Sequence, residues 1–293
     1  MSRVGRTQSN PSLLAAVAQM GPTVDAAANR EEIAALVGEA AMAGARLVVF
    51  PEESMLLAGE VEGSLGEVVA DAWPLFLAQL SLLAVEHELW IIAGGYEPTG
   101  TDRPFNTLVV VNPRGELVES YRKLHLYDAF SYRESDYVTG GGELPPVVMI
   151  EGVAIGLVNC YDIRFPELSR DLVTRGADVL SVSAAWVAGA RKEEHWATLV
   201  KARAIENTCW VLASSSTSPE CIGNSMVIDP MGVERAGLGP VGSGVALVEI
   251  SLDHTAEVRD TVPSLANRRL ITTIAVAAAS VPASPLASPL VSE

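Results

Sequence analysis

Short apolar runs recur along the chain, separated by turns or by longer segments with helical spacing. They are rich in Val, Ile and Leu and bounded by Gly, Pro or polar residues, a pattern typical of buried strands. On this basis we predict strands at 13–20, 47–50, 89–93, 105–112, 116–121, 147–160 (a hairpin), from 179, and at 209–214, 225–228 and 244–250.

Longer segments with apolar residues at helical spacing lie between many of these strands. In 26–43, Ile33, Leu36, Val37 and Ala40 share one face and Gly44 ends the helix. Further helices are predicted at 68–87, 166–175 and 193–207. The alternation of helices with buried strands predicts an α/β fold built from layered units.

The domain organisation follows from where this pattern begins and ends. We expect one domain at 12–270, preceded by a short polar N-terminal extension at 1–11. Residues 271–293 are mostly Ala, Ser, Pro and Val with almost no charge, which predicts a tail outside the core.

Composition and charge narrow the possible functions. The 293 residues are 49% hydrophobic, which is enough for a sizeable core, and the formal net charge is −16. An acidic chain without a long basic run is not expected to bind nucleic acid or an anionic membrane surface. No uninterrupted apolar run approaches about 18 residues, so no membrane-spanning helix is expected.

The cysteines and the N-terminus bear on location. Three scattered cysteines fit neither a disulfide framework nor a zinc site, and the N-terminus lacks the apolar core of a signal peptide. We therefore expect a cytoplasmic protein.

One cysteine stands where a strand should give way to a helix. The apolar run 153–158 ends just before Cys160, and Pro166 is suited to the first turn of a following helix. Such an elbow would hold the thiol near unpaired backbone N–H groups, which favour a thiolate and can bind an oxyanion. Taken alone, Cys160 is better explained as a small hydrophobic residue of the core.

Two further polar residues follow predicted strands. Glu52 comes after strand 47–50, and Lys123 comes after strand 116–121. Polar groups at strand ends can converge at one edge of a sheet, where open α/β folds place their sites. A carboxylate, a cation and a thiol would then share one site.

The motifs PE (51–52), YRKLHL (121–126) and NCYDIRFPE (159–167) together resemble the nitrilase, or carbon–nitrogen hydrolase, superfamily, in its Nit/omega-amidase-like branch. The resemblance implies a four-layer αββα sandwich, a homodimer or larger homo-oligomer, and no cofactor. It also implies catalytic roles for Glu52, Lys123 and Cys160, with Glu134 as the second glutamate that positions Lys123. Candidate substrate-binding residues are Tyr161, Arg164, Phe130 and Trp186.

The implied function is a thiol-dependent amidase that hydrolyses a small carboxamide to acid and ammonia. Arg164 follows the nucleophile by four residues and could grip a substrate carboxylate. It could instead pair with Glu167 or with a carboxylate of the site. A nitrile or N-carbamoyl hydrolase, and a non-catalytic dimer subunit, remain alternatives.

Four other features of the sequence could carry chemistry. His125 could form a dyad with Cys160, but a structural role is preferred because the resemblance supplies a glutamate base. Glu53 should point away from Glu52 along an extended chain, which predicts a surface or structural role. No histidine pair has metal-ligand spacing, so no metal site is expected. The literal dinucleotide-binding pattern at 237–242 is attributed to a hairpin connection, because Pro240 disrupts any helix start.

Overall fold

The computed structural model of the protein describes residues 10–270 and 274–276. The described helices are α1 (Ala26–Met42), α2 (Leu65–His87), α3 (Pro166–Thr174), α4 (Lys192–Asn207) and α5 (Leu252–Thr261). The described strands are β1 (Ser12–Gln19), β2 (Leu47–Val49), β3 (Trp90–Glu97), β4 (Phe105–Val111), β5 (Leu117–Arg122), β6 (Asp128–Ala129), β7 (Tyr132–Arg133), β8 (Val147–Ile150), β9 (Val153–Asn159), β10 (Val179–Ala184), β11 (Trp210–Ser215), β12 (Met226–Ile228), β13 (Glu234–Gly237) and β14 (Gly244–Ser251).

The strands form two six-stranded sheets and one small hairpin. The first sheet has the order β14-β1-β2-β3-β4-β5, and the second has the order β13-β12-β11-β10-β9-β8. Neighbouring strands are parallel within β1-β2-β3 and within β9-β10-β11, and antiparallel toward both edges of each sheet. The chain thus repeats one mixed sheet design twice.

The two sheets pack face to face between two layers of helices. Alternate residues of β2 show the arrangement, since Val48 packs with the residues of α1 and α2. Its neighbours Leu47 and Val49 belong instead to the core between the sheets, together with Leu157 and Leu212 of the second sheet. Helices α3 and α4 cover the outer face of the second sheet. The four-layer αββα sandwich is therefore confirmed.

Helix α2 is the one described helix that is long and apolar enough to cross a membrane by length and composition, a property shared by core helices of soluble proteins. The expectation of no such helix rested on uninterrupted apolar runs, and Asp71, Pro74 and Gln79 interrupt this one. Its buried face, which includes Val69 and Phe76, packs on the first sheet.

Most predicted elements are present with boundaries shifted by a few residues, but the C-terminal region differs. Helix α5 was not predicted, because its short segment has little apolar patterning; the Ser251 side chain caps it by accepting from the His254 N–H. The segment after Gly237 was expected to be a hairpin connection, which is wrong, since β13 and β14 lie in different sheets. The predicted extension at 1–11 and tail at 271–293 fall almost entirely outside the described residues.

Candidate active site

Cys160 lies on a strained elbow at the end of β9. Its φ is +48°, a left-handed conformation that a non-glycine residue adopts at a cost, and a 3-10 turn over Cys160–Arg164 follows. The buried carboxylate of Asp162 holds this turn. It accepts hydrogen bonds from the Asn159 N–H (3.2 Å) and the Tyr121 hydroxyl (2.8 Å). The elbow is therefore built into the backbone and does not depend on a ligand.

Glu52 lies just beyond β2, buried beside the thiol. Its backbone runs so close to β3 that a Cβ on Gly94 would lie 2.0 Å from the Glu52 carbonyl oxygen. Only glycine fits that position without moving one of the two strands. One carboxylate oxygen, Oε2, accepts from the Ala185 N–H at 2.9 Å. The other, Oε1, accepts from Lys123 and Asn106.

Lys123 follows β5 and is 2% exposed, a position that requires charge partners. Its Nζ lies 2.6 Å from Oε1 of Glu52 and 2.8 Å from Oε2 of Glu134. Asn106 donates from Nδ2 to the same two carboxylates at 2.8 Å and 2.9 Å. The Tyr127 N–H also donates to Glu134, at 2.6 Å. This network fixes both carboxylates relative to the lysine.

The protonation states follow from burial and from these partners. Burial would raise the pKa of Glu52, but Lys123 and the Ala185 N–H outweigh it and lower the pKa. Burial would lower the pKa of Lys123, but Glu134 and Glu52 raise it well above its usual value. Burial, with the Glu52 charge, raises the pKa of the Cys160 thiol well above its usual value. The resting site therefore holds a thiol beside an ionised carboxylate, and the thiolate expected from the elbow alone is not favoured.

A small cavity opens onto these groups. About 60 Å³ in volume, it is lined by Cys160, Glu52, Lys123 and Glu134, and also by Tyr161, Arg164, Trp186 and Lys192. The sequence-predicted site residues are thus brought together, except Phe130. That ring is 62% exposed and lines the outer cleft described next.

Two cations line the wall of the inner cavity without a carboxylate partner among the described residues. The guanidinium of Arg164 lies 4.8 Å from the Trp186 ring, and its Nε and Nη2 are buried with no hydrogen-bond partner. Lys192 donates to the Tyr127 hydroxyl at 2.7 Å. Burial and the charge of Arg164 lower the pKa of Lys192. Neither alternative pairing considered for Arg164, with Glu167 or with a site carboxylate, occurs.

An outer cleft of about 570 Å³ adjoins the inner cavity. Glu53, Tyr127, Tyr132 and Lys192 are among the residues that line both. The sequence predicted that the Glu53 side chain points away from the site, which is wrong, because it lines both cavities. Beyond Pro51 the backbone turns rather than continuing as a strand, so the two-residue alternation does not apply.

His125 lies outside the inner cavity. Its backbone N–H donates to Oδ1 of Asp162 at 3.1 Å, and its ring nitrogen Nδ1 lies 2.7 Å from the same oxygen. The imidazole stacks on the Phe165 ring, with 3.7 Å between the ring centroids. These contacts place the histidine against the elbow turn. Among the residues that the structure describes, no three His, Cys, Asp or Glu side chains are arranged so that they could hold a metal ion.

Three residues of the site were not predicted from the sequence. Asn106 is an ordinary strand residue by pattern, Lys192 was not a candidate, and Glu53 was assigned a surface or structural role. The charge of Lys192 at the start of a helix was the one available signal, since a cation is unfavourable there.

The chain is similar to known proteins over most of its length. The carbon–nitrogen hydrolase family profile matches residues 14–260. A hydrolase from Mycobacterium tuberculosis is 38% identical over 271 residues, covering 86% of this chain and 94% of that protein.

Two further proteins are similar. The deaminated glutathione amidase of Escherichia coli O157:H7 is 36% identical, covering 88% and 97% of the two chains. The Caenorhabditis elegans NitFhit protein superposes with a TM-score of 0.82 at 29% identity, covering 89% of this chain and 66% of that longer one. The chain therefore belongs to the nitrilase, or carbon–nitrogen hydrolase, superfamily, in its Nit/omega-amidase-like branch, and is a hydrolase of the amidase type.

Proposed function

We propose that the protein hydrolyses a small amide that carries a carboxylate a few carbons from the scissile bond, through an acyl-enzyme on Cys160. The observation that carries this proposal is the unpaired guanidinium of Arg164 on the wall of the Cys160 cavity. A buried cation without a counter-charge is costly, and a substrate carboxylate beside the guanidinium would offset that cost.

Acylation begins with a proton transfer, because the thiol is neutral at rest. Glu52 takes the Cys160 proton as Sγ attacks the amide carbonyl carbon, giving a tetrahedral intermediate with a negative oxygen. Lys123 has three N–H donors and uses two on carboxylates, so its third can face that oxygen. The Tyr161 backbone N–H, at the start of the elbow turn, supplies a second donor.

Collapse of this intermediate breaks the C–N bond and leaves a thioester. Glu52 returns its proton to the leaving nitrogen, and ammonia departs from an unsubstituted amide. Glu52 then takes a proton from a water molecule whose oxygen attacks the thioester carbon. The second intermediate breaks its C–S bond, the sulfur regains the proton, and the acid leaves. Each proton taken by Glu52 is returned within the same half-reaction.

The substrate carboxylate would lie between Arg164 and Lys192. Lys192 adds a second positive charge, and its contact with Tyr127 leaves further donors free. The name of the Escherichia coli relative, a deaminated glutathione amidase, supports an amide as the substrate class.

The test is a panel of matched substrates. Monoamides of dicarboxylic acids, neutral amides of equal length, the corresponding nitriles and N-carbamoyl amino acids are compared by ammonia release. We expect the carboxylate-bearing monoamides to give the highest kcat/KM. Higher values for nitriles or for carbamoyl compounds would assign the chain to one of those activities instead.

Arg164→Lys tests the carboxylate contact directly. A charge-assisted hydrogen bond contributes about 1.5–3 kcal/mol, so loss of the planar fork should raise KM for the acidic amides about tenfold or more. KM for neutral amides should change little. Arg170→Lys is the matched control, because Arg170 also has an unpartnered buried nitrogen but does not line the inner cavity. Equal damage to both substrate classes by Arg164→Lys would make Arg164 structural.

Two further features of the proposal concern the whole molecule. We infer a homodimer or larger homo-oligomer in the cytoplasm, as the family resemblance and the cysteine pattern suggest. Light scattering coupled to size-exclusion chromatography measures the oligomeric state, and a monomer at micromolar concentration would contradict the inferred oligomer.

A further inference from the structure

Glu53 is the one carboxyl group of the described residues that lies on the wall of both cavities. It follows Glu52 directly, and its Oε1 lies at hydrogen-bond distance, 2.5 Å, from the Tyr96 hydroxyl oxygen. Its other oxygen makes no hydrogen bond among the described residues, and it is not one of the atoms sealed from solvent. The free oxygen is therefore available to a bound molecule.

The surroundings keep this carboxyl group neutral. Burial is the largest cause and the nearby charge of Glu52 the next, and they raise the pKa of Glu53 to about 8. Glu134 acts in the same direction, whereas Tyr96 and Lys123 oppose it. In the neutral form Oε1 can carry the proton and donate it to the Tyr96 oxygen, so that Oε2 is the carbonyl oxygen and can accept a hydrogen bond, and the group adds no second negative charge beside Glu52.

The proposed reaction fixes which part of the substrate reaches Glu53. The acyl chain points to Arg164, which lines the inner cavity but not the outer cleft. The leaving nitrogen must face Glu52, which returns the proton to it. Glu53 adjoins Glu52 where the inner cavity meets the outer cleft. The leaving nitrogen and any substituent on it therefore lie on the Glu53 side.

We propose that Glu53 is a specificity residue for the leaving group, whose free carboxyl oxygen accepts a hydrogen bond from the amide N–H during acylation. The inference rests on the proposed function. It assigns Glu53 no proton transfer: the N–H bond stays intact, and Glu52 alone delivers the proton. The contact orients the nitrogen lone pair toward Glu52 as the C–N bond breaks.

Two substrates with the same acyl group separate this role from a structural one. An amide presents an N–H to Glu53, whereas the aryl ester of the same acid has a leaving oxygen that carries no hydrogen. Both form the same thioester, and kcat/KM reports acylation. Glu53→Ala should lower kcat/KM for the amide about tenfold and leave the aryl ester within about twofold. Glu53→Gln retains a carbonyl oxygen and should recover most of the amide activity.

The controls keep the test decisive. If Glu53→Ala does not fold, Glu53→Met fills the volume without a hydrogen-bonding oxygen. Equal losses on amide and ester, or a Glu53→Gln variant as impaired on amides as Glu53→Ala, would overturn the inference. A wild-type protein that cleaves no amide would instead overturn the proposed function. The two failures are therefore distinguishable.

Discussion

Replacement of Glu52 by Gln should separate the chemistry of the site from its architecture. The side chain keeps its shape but can no longer accept a proton from the neutral Cys160 thiol. General base catalysis contributes about a hundredfold to ten-thousandfold, so kcat for the best amide should fall by that factor. The loss should be visible in both acylation and deacylation, because Glu52 serves both.

The same change has a structural cost that the contacts define. Oε1 accepts from Lys123 and Asn106, and Oε2 accepts from the Ala185 N–H. A Gln side chain has one oxygen, so its NH₂ group must face a donor whichever way it lies. One buried donor is left unpaired, at a cost of about 1–3 kcal/mol. At about 2–4 °C per kcal/mol, Tm should fall by a few degrees to about 10 °C.

Glu134→Gln is the matched variant. Glu134 accepts hydrogen bonds from the same Lys123 and Asn106, and from the backbone N–H of Tyr127. Glu134→Gln should therefore lower Tm by a similar amount. It should lower kcat less than Glu52→Gln does, because Glu134 does not take the thiol proton. Stopped-flow ammonia release and thermal melting of both variants make the comparison. A Glu52→Gln enzyme with near-normal kcat would refute the assignment and direct the search for a base to Glu134 or Glu53, which line the same cavity.

Three other outcomes are expected. Gly94→Ala should destabilise the fold by about 3 kcal/mol or more in denaturant titrations, because its Cβ would meet the Glu52 backbone at 2.0 Å; Gly38→Ala, in open space on α1, is the control and should be neutral or stabilising. Alkylation should abolish activity only as Cys160 is modified, since Glu52 on the same cavity wall can take the Cys160 proton, whereas burial raises the pKa of both Cys209 and Cys221 to about 12 and neither has a carboxylate hydrogen-bond partner among the described residues; mass spectrometry that finds activity lost with Cys160 intact would contradict this. Glu53 has a raised folded pKa, so its contribution disfavours the folded state progressively from about pH 4.5 to 8; the Tm of Glu53→Gln relative to wild type should therefore rise across that window, and a constant difference would show that the carboxyl group is not held neutral.

The sequence by itself was sufficient for the layered α/β architecture. Apolar periodicity in segments such as α1 and β9 reports which face of each element is buried, and burial is a local property of the pattern. The three motifs around Glu52, Lys123 and Cys160 were recognisable because each occupies a short stretch at a strand end. The short helix α5 and the placement of β13 and β14 in different sheets were not, because neither leaves a strong local pattern.

Only the tertiary structure decided the chemistry of individual groups. Lys123 lies 71 residues from Glu52 in the chain, yet their charged atoms are 2.6 Å apart, and this contact helps to lower the pKa of Glu52 and to raise that of Lys123 against the effect of burial. The neutral Cys160 thiol, the unpaired guanidinium of Arg164 and the cavity-facing Glu53 likewise depend on neighbours that are distant in sequence or on the turn after Pro51. A pKa is set by desolvation and by charges within a few ångströms, and those neighbours are fixed only when the two sheets pack together.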